Sequence, residues 1–255
     1  VPAATMAGRD EDGPKAAPDA DGPAAQPPVL RDRRLTANTP DNWVPTAVPI
    51  DAGRAFIFQD SEGIWSRPLD GGVPTKLPMP EKDHILMNDV FPDGRTLLIG
   101  TAGDDPGDLE VFDTLARTTR ALPVRANLGV VSPSGDRVAF VNPNGVHVIG
   151  ADGTNERVVA NTSPGDRIAD LAWSPDGAWL AFVRRQHDRD DVSGSLETAS
   201  SDGRQAHRLM QSHRLVMLGG ITAIAWPHPD RILYALAGLP GSGTRTELWQ
   251  LDLRD

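Results

Sequence analysis

The chain has 255 residues, of which 39% are hydrophobic and 24% charged, a balance that suits a folded protein with a sizeable core. Its formal net charge of −10 argues against nucleic acid and anionic lipid as partners, because both bind basic surfaces. The absence of cysteine excludes disulfides, thiolate metal sites and thiol catalysis. No apolar run approaches the roughly 18 residues that a membrane helix needs, so no membrane insertion is expected within this chain.

The first 30 residues differ in composition from the rest. They contain eight Ala, six Pro and three Gly, one Leu and no aromatic residue. Such a segment buries too little apolar surface to offset the entropy lost on ordering. We therefore predict a disordered Ala/Pro-rich linker over 1–30, with a frayed terminus as the alternative, and a folded domain over 31–255.

A turn phrase recurs along the folded part. Its copies include "FPDGRTLLIG", "SPSGDRVAFV" and "SPDGAWLAFV". The turn glycines are Gly53, Gly94, Gly135 and Gly177, which lie 41, 41 and 42 residues apart. A fifth copy, "WPHPDRILYALAG", follows after a longer interval that contains polar insertions. A fixed period of this length is typical of a repeat architecture.

Each repeat contains four short runs that favour β-structure. An apolar run leads into the Pro-Asp-Gly turn, and the second run is apolar at nearly every position, so both of its faces are expected to be buried. A third run ends in a second turn, and a fourth ends in a basic–apolar pair. These features predict an all-β protein, a β-propeller of about five four-stranded blades. A β-sandwich also consists of short strands, but its architecture does not require a sequence repeat of fixed period. The predicted repeat units are 44–84, 85–127, 128–168, 169–220 and 221–255.

The segment "RDRRLTANT" at 31–39 has the pattern of a fourth run without the three that should precede it. Its Arg34-Leu35 matches Arg208-Leu209 of the fourth repeat, and the fifth repeat has a third run without a fourth. We therefore predict that 31–39 is the closing strand of the last blade, which would hide the edges of the sheet. The alternative is a fragment of a larger ring, in which the last sheet keeps an open edge.

The "SPDG" turn, its apolar strand and the following "DG" hairpin resemble the repeats of TolB-like β-propellers. Over 31–255, "RRLTANTPDNWV", "LAWSPDGAWLAFV" and "RILYALAG…ELWQLDL" resemble the propeller halves of bacterial receptor-type serine/threonine kinases and winged-helix regulators. This resemblance implies a non-catalytic sensor or protein-interaction module, tethered to an upstream signalling domain and periplasmic or otherwise extracytoplasmic. A TolB-like periplasmic scaffold, the accessory propeller of a serine hydrolase, and a cytoplasmic location are the alternatives.

No motif for catalysis is present. The Gly-rich stretch 238–246 lacks the Gly-Lys-Ser/Thr of a phosphate loop, and there is no Gly-x-Ser-x-Gly elbow. The six histidines show no pair with the spacing of a helical zinc site. We therefore predict no enzyme activity, no catalytic residue, no metal and no cofactor.

The best candidates for function are acidic insertions between the second and third strands, at 102–110, 184–197 and 238–247. They should emerge on one face of the ring together with the connections at 39–43 and 80–84, and loops on a rigid scaffold often carry binding sites. The candidate ligand-binding residues are Trp43, His84, Asp104, Asp105, Asp108, Asp188, Asp190 and Asp191. An acidic rim favours a protein or peptide partner, preferably basic, while a cationic ligand, calcium, or simple solvation of the loops are the alternatives.

The predicted closing strand can be tested by truncation. Deleting 31–36 is expected to remove much of the cooperative unfolding transition, because the last blade would lose its outer strand. Deleting 1–28 is expected to change thermal unfolding little, because a linker contributes few contacts. Calorimetry of both truncated chains against the full chain provides the measurement. An unchanged melting curve after the first deletion would rule the closing strand out.

Overall fold

The computed structural model describes residues 46–82, 84–101, 106–126, 128–188, 191–212, 220–237 and 246–253. The chain divides into two units, 1–37 and 38–255, and all described residues belong to the second. The predicted linker and the predicted closing strand 31–39 lie outside the described residues. Within the described ranges, no helix has the length and apolar character needed to cross a membrane.

The described part consists of strands joined by short turns, with one 3₁₀ turn at Asp51–Gly53. The strands are β1 (Thr46–Ile50), β2 (Ala55–Asp60), β3 (Gly63–Pro68), β4 (Thr75–Lys76), β5 (Ile85–Val90), β6 (Thr96–Thr101), β7 (Gly107–Asp113), β8 (Thr118–Ala126), β9 (Leu128–Val131), β10 (Arg137–Asn142), β11 (Gly145–Gly150), β12 (Arg157–Asn161), β13 (Arg167–Trp173), β14 (Trp179–Asp188), β15 (Asp191–Ser200), β16 (Ala206–Ser212), β17 (Gly220–His228), β18 (Arg231–Ala237) and β19 (Thr246–Asp252).

These strands form five antiparallel sheets, and in each sheet neighbouring strands are also consecutive in the chain. Four sheets, β1–β4, β5–β8, β9–β12 and β13–β16, have four strands, while the fifth has β17–β19 among the described residues. The first strands of successive sheets contact one another, from β1 through β5, β9 and β13 to β17. All five first strands line one central cavity of about 820 Å³. The predicted all-β fold, a five-bladed propeller, is therefore confirmed.

The second strands of the first four blades each contain a run of at least three consecutive buried residues. In β14, the four residues from Leu180 to Val183 are fully buried, and in β6 Leu97 and Leu98 are too. One core cluster joins Leu98 of the second blade to Phe140 of the third, so the apolar faces pack between blades. The expectation that both faces of the second strands are buried is confirmed for these four blades, whereas in β18 the buried Ile232 and Tyr234 alternate with half-buried residues. Burial of this kind stabilises the fold by roughly 25 cal/mol per Å² of apolar surface.

The turns after the first strands close through the aspartate that the repeat carries. In the second blade, Asp93 accepts hydrogen bonds from the backbone N–H of Arg95 (3.0 Å) and of Thr96 (2.8 Å). The next residue, Gly94, has a φ of +68°, a conformation that costs glycine little and other residues more. Gly177 adopts the same φ of +68° in the fourth blade, so the recurrence of "DG" reflects a repeated backbone requirement.

Polar side chains tie the inner strands of neighbouring blades together. Asp89 accepts hydrogen bonds from the N–H of Val90 (2.7 Å) and, across the blade junction, of Val131 (2.8 Å). Asp170 makes the equivalent pair with the N–H of Leu171 (2.8 Å) and of Ile224 (2.7 Å). Both aspartates follow an irregularity in strand pairing. Burial raises the pKa of Asp89 to about 6, although the N–H donors of Val131 and Val90 oppose the rise.

The raised pKa of Asp89 makes the stability of the blade junction dependent on pH. Because the folded chain holds this proton more tightly than the unfolded chain, the stabilisation is fully present below about pH 4 and is lost as the pH rises through about 6. The free energy of unfolding is therefore expected to fall by about 3 kcal/mol from this group over that interval, at about 1.4 kcal/mol per pKa unit. Asp89→Asn is expected to abolish this fall in the free energy of unfolding. Denaturant titrations at several pH values across the same interval provide the measurement.

Asp93→Asn is the matched control. The pKa of Asp93 is lowered, because hydrogen bonds from Thr96 and Arg95 outweigh the opposing effect of burial. The ionised carboxylate of Asp93 therefore adds stability that is lost on acidification. Asp93→Asn should remove this loss at low pH, whereas Asp89→Asn should remove a loss that occurs as the pH rises. A free-energy difference between wild type and Asp89→Asn that is independent of pH would contradict the role assigned to Asp89.

Candidate functional site

Because consecutive strands are antiparallel, loops alternate between the two ends of each blade. We call the end that carries the second-to-third-strand hairpins and the fourth-to-first-strand connections the insert face. The opposite end, which carries the Pro-Asp-Gly turns, is the turn face. On the insert face the third blade has the hairpin Pro143-Asn144, and 162–166 connects it to the fourth blade. The candidate residues that the structure describes, His84, Asp108, Asp188 and Asp191, belong to segments that lead to the insert face.

The structure differs from the sequence interpretation at the insertion 184–197. This segment was predicted as a loop, but β14 and β15 pair continuously along it, up to Asp188 opposite Asp191. Backbone pairing between strands does not require apolar side chains, so polarity alone was misleading. The structure thus brings Asp188 and Asp191 to the tip of one long hairpin.

The other two described candidates, His84 and Asp108, belong to the second blade. Asp108 lies inside β7 rather than in a loop, and its exposed carboxylate is 3.7 Å from the guanidinium of Arg125 on β8. His84 is exposed just before β5, with a φ of 57°. Trp43, Asp104, Asp105 and Asp190 lie outside the described residues. Among the residues that the structure describes, no three His, Asp or Glu side chains are grouped so that they could hold a metal ion.

A pocket of about 920 Å³ opens on the insert face between the third and fourth blades, and we call it the insert-face pocket. Its wall on one side is the hairpin of the third blade, and on the other the connection to the fourth. The lining residues are Pro106, Val141, Asn142, Pro143, Asn144, Asn161, Thr162, Ser163, Pro164, Gly165, Asp166, Arg167 and Ile168. Neutral amides, hydroxyls and prolines thus predominate in the pocket.

Hydrogen bonds hold the two walls of the insert-face pocket together. The hydroxyl of Thr162 donates to the carbonyl oxygen of Pro143 (2.7 Å), and its N–H donates to the carbonyl oxygen of Asn144 (3.0 Å). The side-chain oxygen of Asn142 accepts from the N–H of Asn144 (2.8 Å) and shapes the hairpin. The pocket is therefore preformed by the backbone and by two short polar side chains.

A buried charge network also supports the pocket. Arg184 on β14, 8% exposed, donates through Nη1 to the carbonyl oxygen of Asn161 (3.0 Å) and to Asp166 (3.4 Å). Its Nε donates to Glu197 (3.2 Å), whose other oxygen accepts from the hydroxyl of Ser195 (2.7 Å). Arg184 was missed as a structural residue because its partners are distant in sequence. The one sequence feature that could have indicated this role is the position of Arg184 directly after the apolar run "LAFV".

The central cavity is a second concave region. It is lined by the ends of the first strands that lead into the turn face, and its wall includes the half-buried carboxylate of Asp89. The indole N–H of Trp173 donates to the carbonyl oxygen of Val130 (3.1 Å), a further tie between neighbouring blades. Trp226 of β17 is half-buried in the same wall. The lining of this cavity is thus more apolar than that of the insert-face pocket, and some of its residues hold neighbouring blades together.

Comparisons with known proteins support the propeller fold. No protein-family profile matches the chain. A stretch of 101 residues is 30% identical to the probable glutamyl endopeptidase, chloroplastic, of rice (Oryza sativa subsp. japonica), covering 38% of this chain and 11% of that protein. The structure is similar to TolB from Acinetobacter baumannii, with a TM-score of 0.61, 14% identity, and coverage of 83% of this chain and 52% of that one.

The TolB protein of Agrobacterium tumefaciens is also similar, with a TM-score of 0.53, 18% identity, and coverage of 66% and 65% of the two chains. The chain thus matches between about half and two thirds of the TolB structures, and about a tenth of the endopeptidase. At these identities, the structural likeness establishes a TolB-like β-propeller fold, and function has to be argued from the residues themselves.

The role of the buried Arg184 can be measured by substitution. Arg184→Met is expected to destabilise the chain by about 3 kcal/mol, because it removes the cation that bonds to the largely buried carboxylates of Asp166 and Glu197, of which Glu197 keeps its ion pair with Arg208. Arg54→Met removes an exposed pair with Asp51 and is the control, for which little change is expected. The free energy of unfolding from urea titration compares the two. Equal effects of the two substitutions would show that Arg184 does not organise the site.

Proposed function

We propose that this chain is a non-catalytic TolB-like propeller that binds a protein or peptide segment at the insert-face pocket. The observation that carries the proposal is the pocket itself, a preformed concavity between two rigid blades. Its volume of about 920 Å³ lies within the range of roughly 300–1,000 Å³ that is common for ligand sites. A rigid site has little ordering entropy to lose when a ligand binds, which favours affinity.

The chemistry of the pocket favours a peptide over a charged small molecule. Asn144 and Asn161 are exposed at its edge, and amide side chains both donate and accept hydrogen bonds, as a peptide backbone requires. The one buried cation beneath it, Arg184, already donates to Asp166 and Glu197. The proposal thus moves the centre of binding from the predicted acidic rim to the insert-face pocket, whose lining is uncharged apart from Asp166 and Arg167. A basic flank on the peptide remains compatible with the net charge of −10.

The wider context of the proposal is a sensor module within a larger bacterial signalling protein of the receptor-type serine/threonine kinase class. Its support is the resemblance of the repeats, described above, to the propeller halves of such kinases. An extracytoplasmic location is part of the same proposal and has the same support. The full reading frame provides the discriminating observation, since an upstream kinase or DNA-binding domain is expected there.

A second candidate function is the accessory propeller of a hydrolase. The observation that favours it is the 30% identity over 101 residues to a probable glutamyl endopeptidase. This alternative requires an α/β domain with a serine nucleophile elbow elsewhere in the reading frame. In that arrangement the propeller would still be non-catalytic, and it would bind the peptide substrate rather than a signalling partner.

Peptide selection on the full chain tests the binding site. Peptides selected from a displayed library are expected to lose at least about tenfold in affinity for Asn144→Trp, which fills the pocket, or about 1.4 kcal/mol. Arg204→Trp, at an exposed position on the turn face, is the matched control and is expected to bind normally. Fluorescence anisotropy with labelled peptides gives the affinities. Loss of binding in the control but not in Asn144→Trp would overturn the proposed site.

A further inference from the structure

A second pocket lies on the other side of the hairpin that bounds the insert-face pocket, and we call it the charged pocket. It has a volume of about 690 Å³ and extends from the insert face down between the second and third blades. Arg125 of β8 lines one side, and Glu156, which directly precedes β12, lines the other. Because Pro106 and the hairpin 142–144 line both pockets, a peptide that crosses this hairpin contacts both.

The two charged side chains of this pocket differ in their surroundings. The carboxylate of Asp108 lies 3.7 Å from Nε of Arg125, and the two residues are directly opposite each other on β7 and β8. The charge of Arg125 is thus partly balanced by its neighbour. Within the described ranges, no lysine or arginine forms an ion pair with Glu156, whose partner is a histidine. Glu156 is therefore the side chain that gives the charged pocket its preference for a cation.

A buried histidine holds the carboxylate of Glu156 in place. His147 of β11 is 6% exposed, and its ring stacks on that of Phe140 with the ring centres 5.1 Å apart. Nδ1 of His147 lies 3.1 Å from Oε1 of Glu156, whose side chain is 44% exposed. The imidazole is therefore fixed by packing, while the carboxylate that it contacts remains open to a ligand.

The two ring nitrogens of His147 determine the direction of this hydrogen bond. An ionised carboxylate only accepts hydrogen bonds, so Nδ1 has to carry the proton. Nε2 is buried without a hydrogen-bond partner, and a proton there would be a buried donor without an acceptor. His147 thus donates through Nδ1 to Oε1 of Glu156, which leaves Oε2 available to a ligand.

We propose that Glu156 binds a lysine or arginine side chain of the peptide whose neighbouring segment occupies the insert-face pocket. Its Oε2 accepts a hydrogen bond from the ammonium or guanidinium group, and opposite charges strengthen such a bond. His147 is a positioning residue, because it contacts Glu156 and not the peptide. This inference rests on the proposed function and adds the class of peptide, one with a basic side chain beside a neutral segment.

Peptide selection on charge-reversed chains tests this assignment. A displayed library of random peptides is selected on the full wild-type chain and on Glu156→Lys. We expect enrichment of lysine or arginine on the wild type and of aspartate or glutamate on Glu156→Lys. Glu62→Lys is the matched control, because it makes the same change of charge at an exposed position of the hairpin between β2 and β3, on the same face. The control is expected to select basic peptides, as the wild type does.

The affinities of one selected peptide measure the strength of the interaction. Replacing its basic residue by glutamine is expected to weaken binding to the wild type about fivefold, as for a favourable exposed ion pair. The same replacement should leave binding to Glu156→Gln unchanged.

Variants of His147 test its positioning role by the same ratio of affinities. His147→Phe keeps an aromatic ring beside Phe140 but removes the donor, so it is expected to reduce the preference for the basic peptide. His147→Asn has an amide N–H that can replace Nδ1 and is expected to retain more of the preference. A general loss of structure would weaken the binding of both peptides alike. An unchanged preference in His147→Phe would overturn the positioning role.

Failure of this inference and failure of the proposed function give different results. If Asn144→Trp abolishes binding but Glu156→Lys and Glu62→Lys select the same peptides, the insert-face pocket binds peptides and the role of Glu156 is overturned. Enrichment of acidic residues on the wild type would assign the site to Arg125 and also overturn it. If no peptide binds, or if Asn144→Trp binds normally, the proposed function fails together with this inference.

Discussion

The structure depends on the packing of one apolar sheet face against the next. The second strands β6, β10 and β14 are buried on both sides because each blade covers its neighbour. Since an isolated four-stranded sheet of this size would expose one or both apolar faces, no blade has a complete core of its own. The blades are therefore expected to be stable only as a ring, in which the contribution of each depends on its neighbours.

Hydrogen bonds between neighbouring blades supplement this apolar packing. Unlike apolar contacts, hydrogen bonds depend on direction. Gln59 of the first blade donates to the carbonyl oxygen of Ile85 (2.6 Å) and accepts from the N–H of Met87 (2.7 Å) in the second. Asp89, Trp173 and Asp170 make corresponding ties between later blades. These bonds satisfy backbone groups at the inner edges and fix the position of one blade against the next. These structural contacts lie in the wall of the central cavity, whereas the proposed binding pocket lies at the ends of the blades.

Much of the fold could be predicted from the sequence because the repeat is local. Gly94 and Gly177 mark turns that need a positive φ, and the apolar runs after them have to be buried. The site could be predicted less well, since it depends on contacts between distant segments. Arg184 bonds to Asp166 and Asn161, which lie 18 and 23 residues away in the chain. The polar residues of 184–197 form a hairpin where the composition indicated a loop. The insert-face pocket likewise arises from two neighbouring blades and has no single sequence motif.

Native-state hydrogen exchange tests most directly whether packing between blades holds the protein together. The amides of β6, β10 and β14 are expected to exchange most slowly and to share one free energy of opening, equal to that of global unfolding. Peptide-resolved mass spectrometry of the full chain under increasing denaturant provides these values. Blades that open one at a time, each with its own free energy, would contradict the claim that the ring folds as one unit.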